Sequence, residues 1–142
     1  MAQNLPQLLG AARHWFETGL ASAMEADGEQ PISYAQQLVF SALDAEGTTV
    51  AELARRMGVA RQSAHQAVHA LIGMGLLCQE PDPDSARRRR IRMTAEGRRI
   101  DAVARGHIAR MEGALADRIG PATVTALTEA LRTDWGPPLT PR

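Results

Sequence analysis

Five arginines stand within six residues, Arg87, Arg88, Arg89, Arg90 and Arg92. A guanidinium is always charged and presents a planar fork of donors, which suits it to phosphate oxygens. A strand this basic buries itself poorly, but lies well along a polyanion. A second group stands upstream: Gln62, His65, Gln66 and His69, with Arg61 and Ser63 at the front. At 100° per residue, Gln62, His65, Gln66 and His69 share one side of a helix, while Ala64, Ala67, Val68 and Leu71 fall within a third of the circle opposite. Gln pairs bidentately with adenine, and Arg with guanine or a phosphate. No acid lies between Arg61 and Gln79, which suits approach to a polyanion. A solvated helix face and a charged edge strand are the plain alternatives. The adjacency of the two groups favours a shared nucleic-acid surface.

Other reactive residues point elsewhere. Cys78 is the only cysteine, so no internal disulfide or multi-cysteine metal site exists; it reads as a small apolar residue of a strand. His65 and His69, four apart, could ligate a metal, but no third ligand is nearby, and neither metal nor cofactor is expected. Protonation of the two histidines near pH 6 should tighten non-specific DNA binding. His107 falls on an apolar helix stripe and reads as a satisfied interior or interface histidine. No nucleophile–base pair, phosphate-cradling glycine loop or spaced carboxylate pair is visible, so the chain is not read as an enzyme.

Elements must position these groups, and the 142 residues allow about one domain. Hydrophobic residues make up 44% and charged residues 23%, which argues against disorder, while aromatics at 4% argue against a base-stacking platform for single strands. Sixteen basic residues, all Arg, balance sixteen acids. The balance hides an asymmetry: residues 1–50 carry one Arg and six acids, residues 51–99 ten Arg and five acids, and residues 100–142 five of each. A basic middle on a neutral or acidic scaffold fits a nucleic-acid reader. No apolar run approaches the ~20 residues of a membrane span, and the start lacks a basic signal region. The expected location is cytoplasmic, with no membrane partner.

Apolar residues at spacings of three and four predict a first helix over 5–25, ending near Asp27-Gly28. Ser33 with Gln36 predicts a capping box and a second helix that Gly47 stops. Thr49 with Glu52 predicts another, opening a short helix that ends at Met57-Gly58; the next helix runs from Arg61 to Met74, with Gly75 as its left-handed cap. Residues 76–79 and 87–93 read as a hairpin around Pro81–Ser85, with Ile91 and Met93 inward, Arg88, Arg90 and Arg92 outward, and Arg87 at the tip. Thr94 caps a long helix over 95–119. Gly120-Pro121 breaks it before a final helix containing Val124, Leu127, Ala130 and Leu131.

The result is a mainly α chain with a small β-hairpin wing, an α+β winged helix-turn-helix of about six helices. Residues 1–30 are assigned to an N-terminal dimerisation helix and 31–98 to the DNA-binding domain, with the helix-turn-helix at 49–74 and the wing at 76–93. Residues 95–135 are assigned to C-terminal dimerisation helices and 136–142 to a loose tail.

The chain resembles the multiple-antibiotic-resistance regulator (MarR) family over about residues 5–134. The resemblance rests on Ser33-Tyr34-Ala35-Gln36 before Val39-Phe40 and Leu43, and on Val50 through Val59. It continues with Val68, Leu71 and Gly75-Leu76-Leu77, then Arg87 and Ile91-Arg92-Met93-Thr94-Ala95-Glu96-Gly97. It implies a homodimer of intertwined first and last helices, a repressor of duplex DNA, and release by a small, often aromatic, effector. The family's minor-groove arginine falls on Arg87, seven residues before Thr94. Two positions depart from the pattern: Ser85 stands where the family often has Asp, and Ala60 where it often has Ser or Thr. The expected DNA-binding set is therefore Arg61, Gln62, Ser63, His65, Gln66, His69, Arg87, Arg88 and Arg90. His14 and Trp15 are the candidates for lining an effector pocket. The rival reading is a winged-helix protein-interaction module that does not read DNA.

Overall fold

The computed structural model describes residues 2–141. The order is α1 (Leu5–Ala26), α2 (Tyr34–Ala42), β1 (Thr48–Thr49), α3 (Val50–Met57), α4 (Arg61–Gly73), β2 (Leu77–Asp82), β3 (Ser85–Met93), α5 (Ala95–Ile119) and α6 (Pro121–Arg132). The chain divides into two compact units at His107/Ile108, inside α5. The expected mainly α winged helix-turn-helix is present, with six helices among the described residues.

Helix ends in the first unit follow side-chain chemistry. Asn4 and Gln7 exchange side chain-to-backbone hydrogen bonds at the start of α1, both 3.0 Å, a capping box absent from the sequence expectations. Ser33 and Gln36 do the same at α2, at 3.2 and 3.0 Å, as expected. That helix ends at Ala42, well short of Gly47: Leu43 is extended and the Thr48 hydroxyl accepts the Asp44 N–H at 2.9 Å. At α3 only half of the expected box forms. Thr49 Oγ1 accepts the Glu52 N–H at 3.3 Å, but the Glu52 carboxylate is held by Arg55 and Arg56 instead of turning back. Gly58 takes the left-handed conformation (φ 66°) that ends α3 and starts the turn into α4.

The sheet has three strands, ordered β1-β3-β2, all antiparallel. The two-residue strand β1 is additional to the expected hairpin; Thr48 faces Ile91 and Thr49 faces Arg90. Ala64, Val68 and Leu71 of α4 are fully buried, the side that its periodicity selects, and they share the core with Leu53 and Ala54 of α3, Leu76, Leu77 and Ile91. Burial of this apolar side fixes the direction of the opposite, polar one.

The wing is welded to the start of α5. Thr94 N–H donates to Leu76 O (3.0 Å), Thr94 Oγ1 donates to Gly75 O (2.7 Å), and Gly97 N–H donates to Thr94 Oγ1 (3.0 Å). A Cβ on Gly97 would lie 2.0 Å from Leu76 O, so only glycine permits this approach.

Large apolar side chains remain uncovered at both ends of the chain. In α1, Leu20 and Met24 are buried, but Leu5, Leu8 and Trp15 are 59%, 49% and 39% exposed. In the second unit, α6 has no buried residue, and Leu127 and Leu131 are 44% and 48% exposed. No helix among the described residues is long and apolar enough to cross a membrane.

Candidate nucleic-acid interface

The polar side of α4 and the wing bound an open trough of about 890 Å³. Arg61, Gln62, His65 and His69 enter it from α4, Arg87, Arg88 and Arg89 from β3, Gln79 from β2, and Glu52 and Arg55 from α3. Six of the expected residues are thus brought together, although the two groups lie about twenty residues apart in sequence. Ser63 and Gln66 are exposed on α4 but do not line the trough.

The wing differs from a plain two-residue alternation. Asp82 pairs with Ser85, but Pro81 pairs with Arg89, so Ala86, Arg87 and Arg88 bulge from β3 without Cα partners on β2. A bulge bends its strand and re-aims side chains. Arg87 therefore sits in this bulge rather than at the tip, which is Pro83-Asp84. The Arg87 N–H donates to Ser85 Oγ at 3.3 Å, and the Asp84 N–H to Asp82 Oδ1 at 3.0 Å. Ser85, the departure from the family pattern, supplies a local anchor of its own.

The bulge also divides the arginines. Arg87, Arg88 and Arg89 are exposed and have no ion pair among the described residues. Arg90, expected on the outer face, is drawn onto Asp82 (3.4 Å) and Asp84 (3.7 Å), with its side chain only 27% exposed. Arg92 bonds to both carboxylate oxygens of Glu80 at 3.2 Å. The acids responsible lie on the facing strand and turn, and satisfy charge that would otherwise face a ligand. Arg89, absent from the expected set, lines the trough; simple alternation from Ile91 turns it inward, and only the bulged register reveals it.

The floor of the trough is braced. Arg56 donates to Asp44 through two nitrogens (both 3.0 Å), to Glu52 (3.0 Å) and to Ala42 O (2.7 Å). Hydrogen bonds from Arg55 and Arg56 hold the Glu52 carboxyl below the usual range, and Arg56 does the same to Asp44. Glu52 is the sole acid lining the trough, against five arginines.

The remaining candidates lie outside this site. His14 and Trp15 belong to α1 and do not line the trough; Trp15 packs edge-on against Phe16, with ring centroids 4.9 Å apart. His107 is buried, with Nε2 2.6 Å from Asp27 Oδ2. Cys78 is half-buried on β2, facing Arg92. Among the described residues, no group of three or more His, Cys, Asp or Glu is placed to hold a metal.

A helix-turn-helix whose second helix shares a basic trough with an antiparallel hairpin defines the winged helix-turn-helix class. Within that class, residues 30–88 match the MarR family model. Solved structures agree in fold. BpsR of Bordetella bronchiseptica, described in terms of regulation of its DNA binding by 6-hydroxynicotinic acid, superposes with a TM-score of 0.74 at 18% identity, covering 92% of this chain and 91% of its own. CouR of Rhodococcus jostii RHA1 bound to p-coumaroyl-CoA gives 0.71 at 22% identity, covering 92% and 90%. The repressor CouR bound to a 23-mer DNA duplex gives 0.72 at 23% identity, covering 90% and 89%. Comparison with curated protein sequences gives no match.

Proposed function

We propose that this chain is a MarR-type transcriptional regulator that binds a pseudo-palindromic duplex operator as a homodimer in the cytoplasm, represses transcription, and is released by a small, often aromatic, effector. The observation that carries the reading is the trough. It joins the polar side of α4 to three unpaired wing arginines, so one surface offers both base-reading amides and imidazoles and phosphate-binding guanidiniums. Gln62, His65 and Gln66 read base edges in the major groove. Arg87 enters the adjacent minor groove, and Arg61, Arg88 and Arg89 hold phosphates. Arg90 braces the wing through Asp82 and Asp84 instead of contacting DNA directly.

The dimer rests on the uncovered apolar side chains of α1 and α6. Residues 1–30 and 95–135 supply its interface and residues 31–98 its DNA-binding lobes. CouR's structure on a DNA duplex and the ligands named with BpsR and CouR support operator binding and effector release for this fold.

The test is fluorescence anisotropy of the full chain on duplexes tiled across the promoter of its own gene, against shuffled duplexes, over a range of salt. Tighter binding to one tile and a falling affinity with salt are expected. In parallel, Leu115→Glu or Ile108→Glu should give a monomer or an unfolded chain that no longer binds the tile. A monomeric variant with full helicity and full affinity would refute the dimer. Binding indifferent to both salt and sequence would leave the protein-interaction module as the better reading.

A further inference from the structure

His65 and His69 are more than two adjacent polar residues. Their rings lie 4.1 Å apart between centroids, inclined at 60°, on the side of α4 that lines the trough. Two imidazolium charges at that separation would repel each other, so the pair accommodates one added charge more readily than two. The charged groups around them are Arg61 on their own helix, Arg55 and Glu52 on α3, and Arg87, Arg88 and Arg89 on the wing. Glu52 is already hydrogen-bonded to Arg55 and Arg56, so little of its charge is left to hold a proton on the histidines. The surface around the pair is thus rich in guanidiniums, with Glu52 the one carboxylate lining it.

Duplex DNA changes the field at this surface. Its phosphates neutralise the arginines and bring a negative potential to the same surface. A proton on the pair is attracted to that potential once DNA is bound. We propose that His65 and His69 form one proton-accepting unit in the DNA-reading surface, so that DNA binding takes up a single proton per protomer and is regulated by pH. This inference rests on the assignment of the trough to DNA. It adds a consequence for base readout: a protonated imidazole is donor-only and matches the O6 and N7 acceptors of guanine.

Calorimetry in phosphate and in Tris at the same pH separates the proton from the binding heat, because the two buffers ionise with different enthalpies. The probe is a short mixed-sequence duplex at low salt, with the full-length chain. The expected uptake near pH 7 is roughly half to one proton per protomer, with affinity rising at least about tenfold from pH 8 to pH 6. The double variant His65→Gln/His69→Gln should still bind but take up almost no proton and lose the pH dependence. Each single variant should keep most of the uptake, because either ring alone can carry the one proton. Halving by each single substitution would show two independent groups and overturn the unit. Uptake that survives in the double variant would place the proton elsewhere and overturn the assignment, and so would uptake abolished by EDTA, which would reveal a metal. Unchanged helicity of the variants excludes misfolding. If the unaltered chain binds no duplex under any condition, the DNA reading itself fails and this inference falls with it; binding without proton uptake refutes the inference alone.

Discussion

Nine of the ten arginines of residues 51–99 serve two different regions, and the contrast explains more than their number does; the tenth, Arg98, donates to the Met93 carbonyl. Around α3, the wing base and the start of α5, Arg55, Arg56, Arg90, Arg92 and Arg99 are engaged with carboxylates. Arg99, for example, reaches Glu29 at 2.6 Å and also holds Glu96. At the front of α4 and in the wing bulge, Arg61, Arg87, Arg88 and Arg89 have no ion pair among the described residues. A paired guanidinium must give up its carboxylate before it can bind a phosphate; an unpaired one need only shed water. Net charge alone overstates the DNA-binding capacity of such a segment.

Removing the unpaired set should produce the largest effect. Arg87→Ala/Arg88→Ala/Arg89→Ala should lower affinity on every duplex and reduce the log–log salt slope by roughly 1.8, at about 0.9 for each of the two phosphates that Arg88 and Arg89 no longer neutralise. Within that set, Arg87→Ala alone should weaken A·T-rich flanks most, where a narrow minor groove concentrates negative potential. A slope equal to that of the unaltered chain would mean the bulge does not touch DNA. Base reading should come next: Gln62→Ala or Gln66→Ala should cost about 1–3 kcal/mol on the true operator and far less on shuffled DNA. Gln62 lines the trough and Gln66 does not, so the ratio of the two losses locates the groove along α4. For the paired set, Arg90→Ala should loosen the wing by leaving Asp82 without its partner, yet change the salt slope by less than the ~0.9 expected of one neutralised phosphate.

What the sequence makes legible follows physical range. The two faces of α4 are readable because helical periodicity is local: Ala64, Val68 and Leu71 are buried and Gln62, His65, Gln66 and His69 lie on the opposite, polar side, as the spacing predicts. Gly58 and Gly75 are readable because a left-handed turn selects glycine at those positions. The pairing of the arginines is not readable in the same way. Asp44 lies twelve residues from Arg56, and Glu29 seventy from Arg99. Whether Arg90 meets Asp82 depends on a three-residue bulge that no alternation rule announces. The same register places Arg89, not Arg90, in the trough. β1 was hidden for another reason: its two residues also lie at the N-cap of α3, and the capping signal of Thr49 accounts for them without a strand.

The smallest effect tests whether the paired arginines are structural. Asp44 and Glu52 both have their carboxyl pKa lowered by hydrogen bonds, from Arg56 in the first case and from Arg55 and Arg56 in the second. A carboxylate whose folded pKa is depressed contributes stability that is fully present above its unfolded pKa and is lost as pH falls through the folded value. The contribution should thus be intact at pH 6 and fade below about pH 4. Both carboxyls are solvent-accessible, so screening keeps the effect small. Thermal melts of the unaltered chain and of Arg56→Ala should therefore differ at pH 6 and converge as the pH drops toward 3. A residual gap is expected from the bond between Arg56 and Ala42 O, which does not titrate. A gap that stays constant with pH would mean that Arg56 acts through that carbonyl alone. The same variant, titrated with DNA at neutral pH, should keep the salt slope of the unaltered chain, because Arg56 is already held by Asp44 and Glu52 and neutralises no phosphate in the complex.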